Sequence, residues 1–492
     1  MKKYNKKTTI FLIAFLFLIS GVFILPAVAL NEPKTSQSAT TLKIVVTDQQ
    51  MPSIQNVTDD FIASEWNGAG ITTIDVSSSG GNANEQLTFL TTQMSSPSYT
   101  YDIIGLDPPF TAQFVENGWI RPLDPYLETG ELDAFEGALV DTCTYEGQTW
   151  AYPYFLNLGI LYYRKDLMDL HFGPGSWSPD DFATWEGLNE TANYILNNVS
   201  GQLDNTDLVG YVGQLDAYEG GVVNFFEWAG SNGATDLISK TGQVDINNEQ
   251  VQEAMQFLKD LIPPQYTGVQ GTDFIIPRSG LVHDEGSSVG VWLNNNSIFM
   301  RQWTFGYGSS ISAGMDFGVA ALPHFEGATD YKTTVVGGQI LAIPQSNPSS
   351  RVEISVNFTK FLGTKLAQEA ELTSDSSPNP GVQPLTNFPA LTEVYDNPPS
   401  GFEFIQNWTE QINLTLARPK HPQYSLASNA IADYFGDILS CNKDVETGLA
   451  EMEQDVRESL AGLPEEIPGF ALGILVLAMA SSIALIVVFR KR

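Results

Sequence analysis

The stretch AYPYFLNLGILYYRKDL, residues 151–167, sets five rings (Tyr152, Tyr154, Phe155, Tyr162 and Tyr163) around one proline and one glycine. Apolar residues fill its centre, and Arg164, Lys165 and Asp166 arrive together near its end. Aromatic residues suit a pleated, half-buried surface, so the run reads as strand, with Tyr162 and Tyr163 as strand packing. So many rings leave two readings open: a buried core strand, or the wall of a binding cleft.

Working outward, the N-terminal side alternates. Leu42–Thr47 reads as strand, Val57–Trp66 as helix, Ile71–Val76 as strand, Glu85–Met94 as helix and Tyr101–Leu106 as strand. That rhythm predicts an α/β lobe with a largely parallel sheet. Ligands gather at the carboxyl ends of such strands, which singles out Asp48, the Ser77–Asn82 loop with Asn82, and Asp107. On the C-terminal side, Ala183–Ile262 reads as mostly helical. Phe317–Leu322 and Thr334–Ile343 return to strand, and Val352–Leu372, Ser428–Leu439 and Val445–Leu460 are helical. Trp185 and Trp228 read as helix residues facing the core, and Phe110 and Trp119 as packing between helix and sheet.

The ends differ from the body. Lys2, Lys3, Lys6 and Lys7, an apolar run and Ala27-Val28-Ala29 read as a secretory signal over residues 1–29, followed by a spacer over 30–41. Phe470–Phe489 is apolar but for two serines, roughly 30 Å of helix, and Arg490-Lys491-Arg492 follows. The basic tail puts the C-terminus inside and the body outside. Pro468-Gly469-Phe470 before that span resembles the C-terminal sorting signal of archaeal surface proteins. Residues 468–492 are therefore expected to be a transmembrane anchor or a sorting signal exchanged for lipid. Either way the body sits on the outer face of the membrane.

Of 24 Lys and Arg, seven lie in these two ends, whereas all 57 Asp and Glu lie between them; the net charge of −33 becomes −40 for the body. Such a surface repels nucleic acid. With 43% hydrophobic and 11% aromatic residues the body is globular, and about 430 residues exceed one core, so two lobes are expected. Cys143 and Cys441 allow one bridge or two unpaired thiols. Seven Asn-x-Ser/Thr sequons fit an exported surface.

Catalytic motifs are sparse. The four histidines have no metal-site spacing, no phosphate loop or dinucleotide fingerprint occurs, and neither metal nor cofactor is expected. Gly286-Ser287-Ser288-Val289-Gly290 matches a nucleophile elbow, but the strand-like VGVWL follows the serine where a helix is required. With 57 acids, carboxylate pairing carries no information.

Several segments, in order, resemble extracellular solute-binding proteins of family 1, the sugar-binding components of ABC importers, and most of all their trehalose/maltose-binding branch. They are YDIIGLDPPFTAQFVENGWIRPLDPYL (101–127), YEGQTWAYPYFLNLGILYYRKDLM (145–168), TWEGLNETANYI (184–195), GYVGQLDAYEGGVVNFFEWAGSNGA (210–234), VGVWLNNNSIFMRQWTFGYG (289–308), FGVAALPHFEG, VVGGQILAIPQ and ARPKHPQY (417–424). The resemblance implies a two-lobed, periplasmic-binding-protein-like fold with hinge crossovers and a ligand cleft. The lobes would be 42–149 plus 318–382 and 150–317 plus 383–462. It puts Asp107, Phe155, Asn157, Trp303, Gly338 and Arg418 on ligand-contact positions, and Glu219 in contact with ligand or holding a loop. It implies a monomer that binds a carbohydrate, a di- or oligosaccharide, and delivers it to ABC permease subunits without catalysis. Rings suit a sugar's C–H face, and Asp107, Asn157 and Arg418 suit its hydroxyls. The branch often has Tyr, Asp and Trp where Phe155, Asn157 and Gln339 stand, so its sugar is not carried over. A surface enzyme acting on glycans, and a binder of peptides or polyamines, are the alternatives.

Overall fold

A computed structural model describes residues 40–96, 99–199, 207–264, 274–372 and 387–461. The expected signal, nearly all of the spacer and the apolar C-terminal stretch lie outside the described residues. Among the described residues no helix is long and apolar enough to cross a membrane.

The strands that position the cleft are β1 (Thr41–Val46), β2 (Thr73–Ser78), β3 (Ile103–Leu106), β4 (Ala151–Asn157), β5 (Gly159–Arg164) and β6 (Val209–Val212). They continue with β7 (Ser297–Trp303), β8 (Phe317–Ala320), β9 (Thr334–Val335), β10 (Gly337–Ala342), β11 (Phe388–Pro389) and β12 (Thr415–Leu416). Six form one sheet in the order β11-β4-β10-β3-β1-β2, and four form a second in the order β8-β5-β7-β6. In the first, β2, β1 and β3 are parallel, as the alternation of strand and helix predicts, while β10 runs antiparallel to both β3 and β4. Each sheet belongs to one lobe of an α/β chain.

The opening stretch passes from one sheet into the other. Every residue of β4 and β5 is buried, and only Leu158 separates them. Within β5 the side chains alternate: Leu161 and Tyr163 join the core of the C-terminal lobe, while Ile160 and Tyr162 face the core that continues under the N-terminal sheet. Two further crossings follow β8 and β11. This moves the expected lobe boundaries. The first crossing falls at Leu158 rather than before residue 150, β8 pairs in the C-terminal sheet beyond residue 318, and β11 pairs in the N-terminal sheet beyond residue 383. The apolar pattern cannot mark the first crossing, because the chain is buried on both sides of it.

Four helices matter below: α1 (Ala83–Met94), α2 (Glu219–Ser231), α3 (Glu285–Leu293) and α4 (Tyr424–Leu439). Asn82 caps α1, its Oδ1 accepting from Glu85 N at 3.0 Å, and Glu85 supplies an acid in the first turn. Helix α2 is buried on every side. Helix α3 corrects the expectation of strand at VGVWL. Asp284 and Ser287 form a reciprocal capping box, 2.8 Å in each direction, and that cap carries the β-rich residues behind it into a helix. Strand β6 also falls inside the region expected to be helical. Trp185 and Trp228 stack at 3.6 Å in the C-terminal core, and Trp119 meets Phe114 edge-on at 5.1 Å.

Cys143 and Cys441 are both free. Cys143 is buried in the N-terminal core and Cys441 is exposed after α4 in the other lobe. A thiol reagent should therefore label one cysteine in the native protein and a second only in denaturant, with no gain on reduction; a single slow phase, or none before reduction, would contradict this.

Tyr154 on β4 donates to Oε1 of the buried Glu371, and Asn387 Nδ2 donates to Oε2 at 2.8 Å. Burial pushes the Glu371 carboxyl up to about 7 against smaller downward pulls from Tyr154, Asn387 and Ser53. The unfolded chain releases this proton near its ordinary value, so stability is full below that value and falls as pH rises toward 7, by at most about 1.4 kcal/mol per pH unit. Urea unfolding at pH 4.5 to 7.5 should show that decline, and Glu371→Gln should flatten it.

Candidate ligand-binding cleft

Asp107 follows β3 directly, and Pro108 and Pro109 turn the chain away behind it, so the carboxylate is left at the strand end. It faces Arg418, which follows β12. Nη2 of Arg418 lies 2.8 Å from Oδ1 and Nη1 lies 3.1 Å from Oδ2. The same Nη1 donates to Oε1 of Glu219, the first residue of α2, at 2.7 Å. Asp107 belongs to the N-terminal lobe and Glu219 to the C-terminal lobe, so one guanidinium bridges the two. Tyr424 donates to Glu219 Oε1 at 2.7 Å, Ser428 donates to Oε2, and Glu219 N donates to Asn84 Oδ1 of α1 at 3.0 Å. Burial pushes the Glu219 carboxyl up, and although Arg418 pulls it down the net shift is upward. Burial also opposes the Arg418 charge, but Asp107 and Glu219 outweigh it and hold its pKa above that of a free arginine.

Trp303 ends β7. Arg301, two residues earlier on the same face of the strand, lies under its ring with Cζ 4.0 Å from the centroid. Arg301 is itself held in a fork: Nε to Glu227 Oε2 at 2.7 Å, Nη2 to Glu227 Oε1 at 2.6 Å and Nη1 to Gln214 Oε1 at 2.7 Å. Gly159 makes room for this pair, since a Cβ there would lie 2.3 Å from Glu227 Oε1. Gly337 does the same for the ring, since its Cβ would stand 2.7 Å from Trp303 Cζ3. Trp303 Nε1 points to Glu285 Oε1 at 3.4 Å, and Tyr218 donates to Glu285 Oε2 at 2.7 Å.

Asn157 accepts from Thr304 Oγ1 at 2.5 Å across the junction of the lobes. Gly338 has φ +108°, and a Cβ would lie 2.1 Å from the Phe155 carbonyl oxygen, so glycine is required there by the backbone. Gln339 is buried in a reciprocal amide pair with Gln86, at 2.9 and 3.2 Å, and Gln86 Oε1 also accepts from Asp107 N at 3.2 Å.

These groups surround a cavity of about 80 Å³ between the lobes. Eight of the nine residues singled out from sequence line it: Asn82, Asp107, Phe155, Asn157, Glu219, Trp303, Gly338 and Arg418. Asp48 does not; it is exposed, its N–H bound to Gly80 O at 3.0 Å, because the chain turns outward one residue after β1 reaches the cleft. Sequence reasoning missed Gln50 and Glu285. Gln50 lies in the same strand-end segment as Asp48 and could have been found by the same rule. Glu285 carried no such signal, since its place follows from α3, which was expected to be strand. Ser288 of the elbow-like motif lies inside α3 with Oγ donating to Asp284 O at 2.7 Å, so it is not presented as a nucleophile. Among the described residues no three His, Cys, Asp or Glu side chains are grouped for a metal.

Residues 49–368 match the family described as bacterial extracellular solute-binding protein. The chain belongs to this family. A probable ABC transporter-binding protein of Deinococcus radiodurans is 30% identical over 241 residues, 48% of this chain but only 53% of that protein. A maltotriose-binding protein of Pyrococcus abyssi is 20% identical over 354 residues, 71% of this chain and 68% of that protein. Among solved structures, maltose-bound T. maritima MalE3 superposes with TM-score 0.71 at 21% identity, covering 85% of this chain and 99% of that one. The maltotriose-bound Thermus thermophilus maltotriose-binding protein superposes with TM-score 0.64 at 16% identity, covering 85% and 99%. This solute-binding protein therefore has the two-lobed fold of those structures.

Replacing Arg418 by Met should leave Asp107 and Glu219 buried without their cation, at a cost of about 3–5 kcal/mol. Urea unfolding of Arg418→Met should show that loss, and adding Asp107→Asn and Glu219→Gln should return much of it. An unchanged midpoint in the single variant would mean that the triad does not hold the lobes.

Proposed function

We propose that this solute-binding protein binds a carbohydrate between its lobes and presents it to the permease of an ABC importer. The observation that carries the reading is Trp303, held flat by the Arg301 guanidinium at the mouth of an interlobe cleft that also offers Asn157, Asn82 and Gln50. A flat apolar ring beside amide groups suits a molecule with one C–H face and a rim of hydroxyls. The names of the P. abyssi relative and of the maltose- and maltotriose-bound structures support the same class. The cavity of about 80 Å³ is far below the roughly 300 Å³ at which ligand sites begin, so a di- or oligosaccharide enters a more open form. Closure then proceeds by hinge motion at the three crossings, with ligand favouring the closed state by touching both lobes.

Binding without bond cleavage is part of this proposal. A glycoside-cleaving site needs one carboxyl free to protonate the leaving oxygen. Here Asp107 and Glu219 are both committed to Arg418, which leaves Glu285 as a lone cleft-lining carboxyl outside an ion pair among the described residues, where cleavage uses two. We further propose that the protein works as a monomer outside the cell, held at the membrane by its apolar C-terminal stretch.

The test is a thermal-shift screen of the body against mono-, di- and oligosaccharides, polyamines and short peptides. At a hundredfold excess over Kd a specific ligand adds about 2.7 kcal/mol, and the ligand should be recovered unaltered. Trp303→Ala should weaken binding about tenfold or more while the unfolding transition of the free protein stays cooperative. A shift with peptides or polyamines alone, or a sugar recovered as fragments, would overturn the reading.

A further inference from the structure

The charges around the cleft do not cancel. Four carboxylates (Asp107, Glu219, Glu227 and Glu285) meet two guanidinium groups (Arg301 and Arg418). Each arginine is already taken. Arg418 spends Nη1 and Nη2 on Asp107 and Glu219, and Arg301 spends its fork on Glu227 and Gln214. Among the described residues Glu285 has neutral donors only, the Tyr218 hydroxyl at 2.7 Å and the Trp303 indole N–H at 3.4 Å. It lines the cavity, and Arg418 is the one cationic side chain lining it among the described residues. Glu285 is half-buried, and a ligand seated against its carboxylate takes away its remaining water, a loss that a cation on the ligand offsets. The Arg301 charge acts on Glu285 through space, but its hydrogen bonds go to Glu227 and Gln214. A second group awaits a ligand atom: Nε of Arg418, which is only 6% exposed, has no partner among the described residues. That N–H requires an acceptor, such as a ring hydroxyl oxygen.

Building on the carbohydrate reading above, we infer that the ligand is an amino sugar, with its ammonium group at Glu285 and a hydroxyl toward Arg418. Trp303 stands between the two demands: its ring meets the C–H face of the sugar, and its indole N–H orients the Glu285 carboxylate. Anionic sugars are excluded from this cleft, because they would add a fifth negative charge to a site whose cations are filled. The feature that identifies the ligand class is the carboxylate with no hydrogen-bonded cation among the described residues, not the acidity of the protein surface.

Calorimetric titration of the intact exported body with glucosamine, glucose, N-acetylglucosamine and putrescine at neutral pH tests this. Glucosamine should bind at least tenfold tighter than either neutral sugar. In Glu285→Gln that ratio should fall toward one, and in Glu285→Asp, which keeps the charge, most of it should survive. Neutral sugars binding as tightly as glucosamine would overturn the amino-sugar assignment and leave the carbohydrate reading standing. A ratio unchanged in Glu285→Gln would remove Glu285 from the assignment. Putrescine binding with no sugar bound, or no binding by any of the four, would overturn the amino-sugar assignment, while the carbohydrate reading stands or falls on the wider screen of di- and oligosaccharides above.

Discussion

Two guanidinium groups are buried at the meeting of the lobes, and neither can be left unpaired. That single constraint organises the site. Arg301 is satisfied within its own lobe by Glu227 and Gln214, and the pair becomes a rigid floor on which Trp303 lies. Arg418 cannot be satisfied by one lobe alone in the closed form. It takes Asp107 from one side and Glu219 from the other, so its pairing is complete only when the lobes meet. A buried ion pair contributes little net stability compared with apolar packing, but breaking one is costly. The triad therefore acts on geometry: it defines the closed arrangement more than it strengthens the fold.

The glycines of the first two crossings follow from the same crowding. Gly159 admits the Arg301–Glu227 pair, Gly337 admits the Trp303 ring, and Gly338 adopts a backbone conformation that brings β10 against β4. A side chain at any of the three would push apart groups whose contacts shape the cleft. Small residues here are the complement of large ones, and the packing of the floor and the path of the hinge are one problem. The departures from the trehalose/maltose pattern fit this view. Gln339, where the resemblance leads one to expect a ring, pairs with Gln86, which in turn holds the Asp107 backbone.

Much of this was legible in the residues. Alternating strand and helix announced the N-terminal sheet, and the rule that ligands gather at strand ends led to Asp107 and Asn82. Ordered motif resemblance led to Trp303, Arg418 and Gly338. The failures were of two kinds. At α3, a capping box of two residues overrode five residues of strand-like pattern, because a satisfied helix start outweighs modest β propensity when the neighbours permit either. At the first crossing, no boundary was visible, because strands buried on both sides carry the same apolar pattern whichever sheet they join.

By itself the sequence determined the class of the chain: two lobes from its length, an α/β sheet from its periodicity, an acidic body from its charges, and most of the residues that meet between the lobes. Only the tertiary structure decided what those residues do there. Arg418 reads from sequence as a ligand contact, and it turns out to be the cation shared by two lobes. Glu285 reads as nothing, and among the described residues it becomes the one cleft carboxylate with no hydrogen-bonded cation. The reason is physical. Local pattern reports which side of a strand or helix is buried, whereas the partner of a buried charge is set by elements hundreds of residues apart, 311 between Asp107 and Arg418, that only folding brings together.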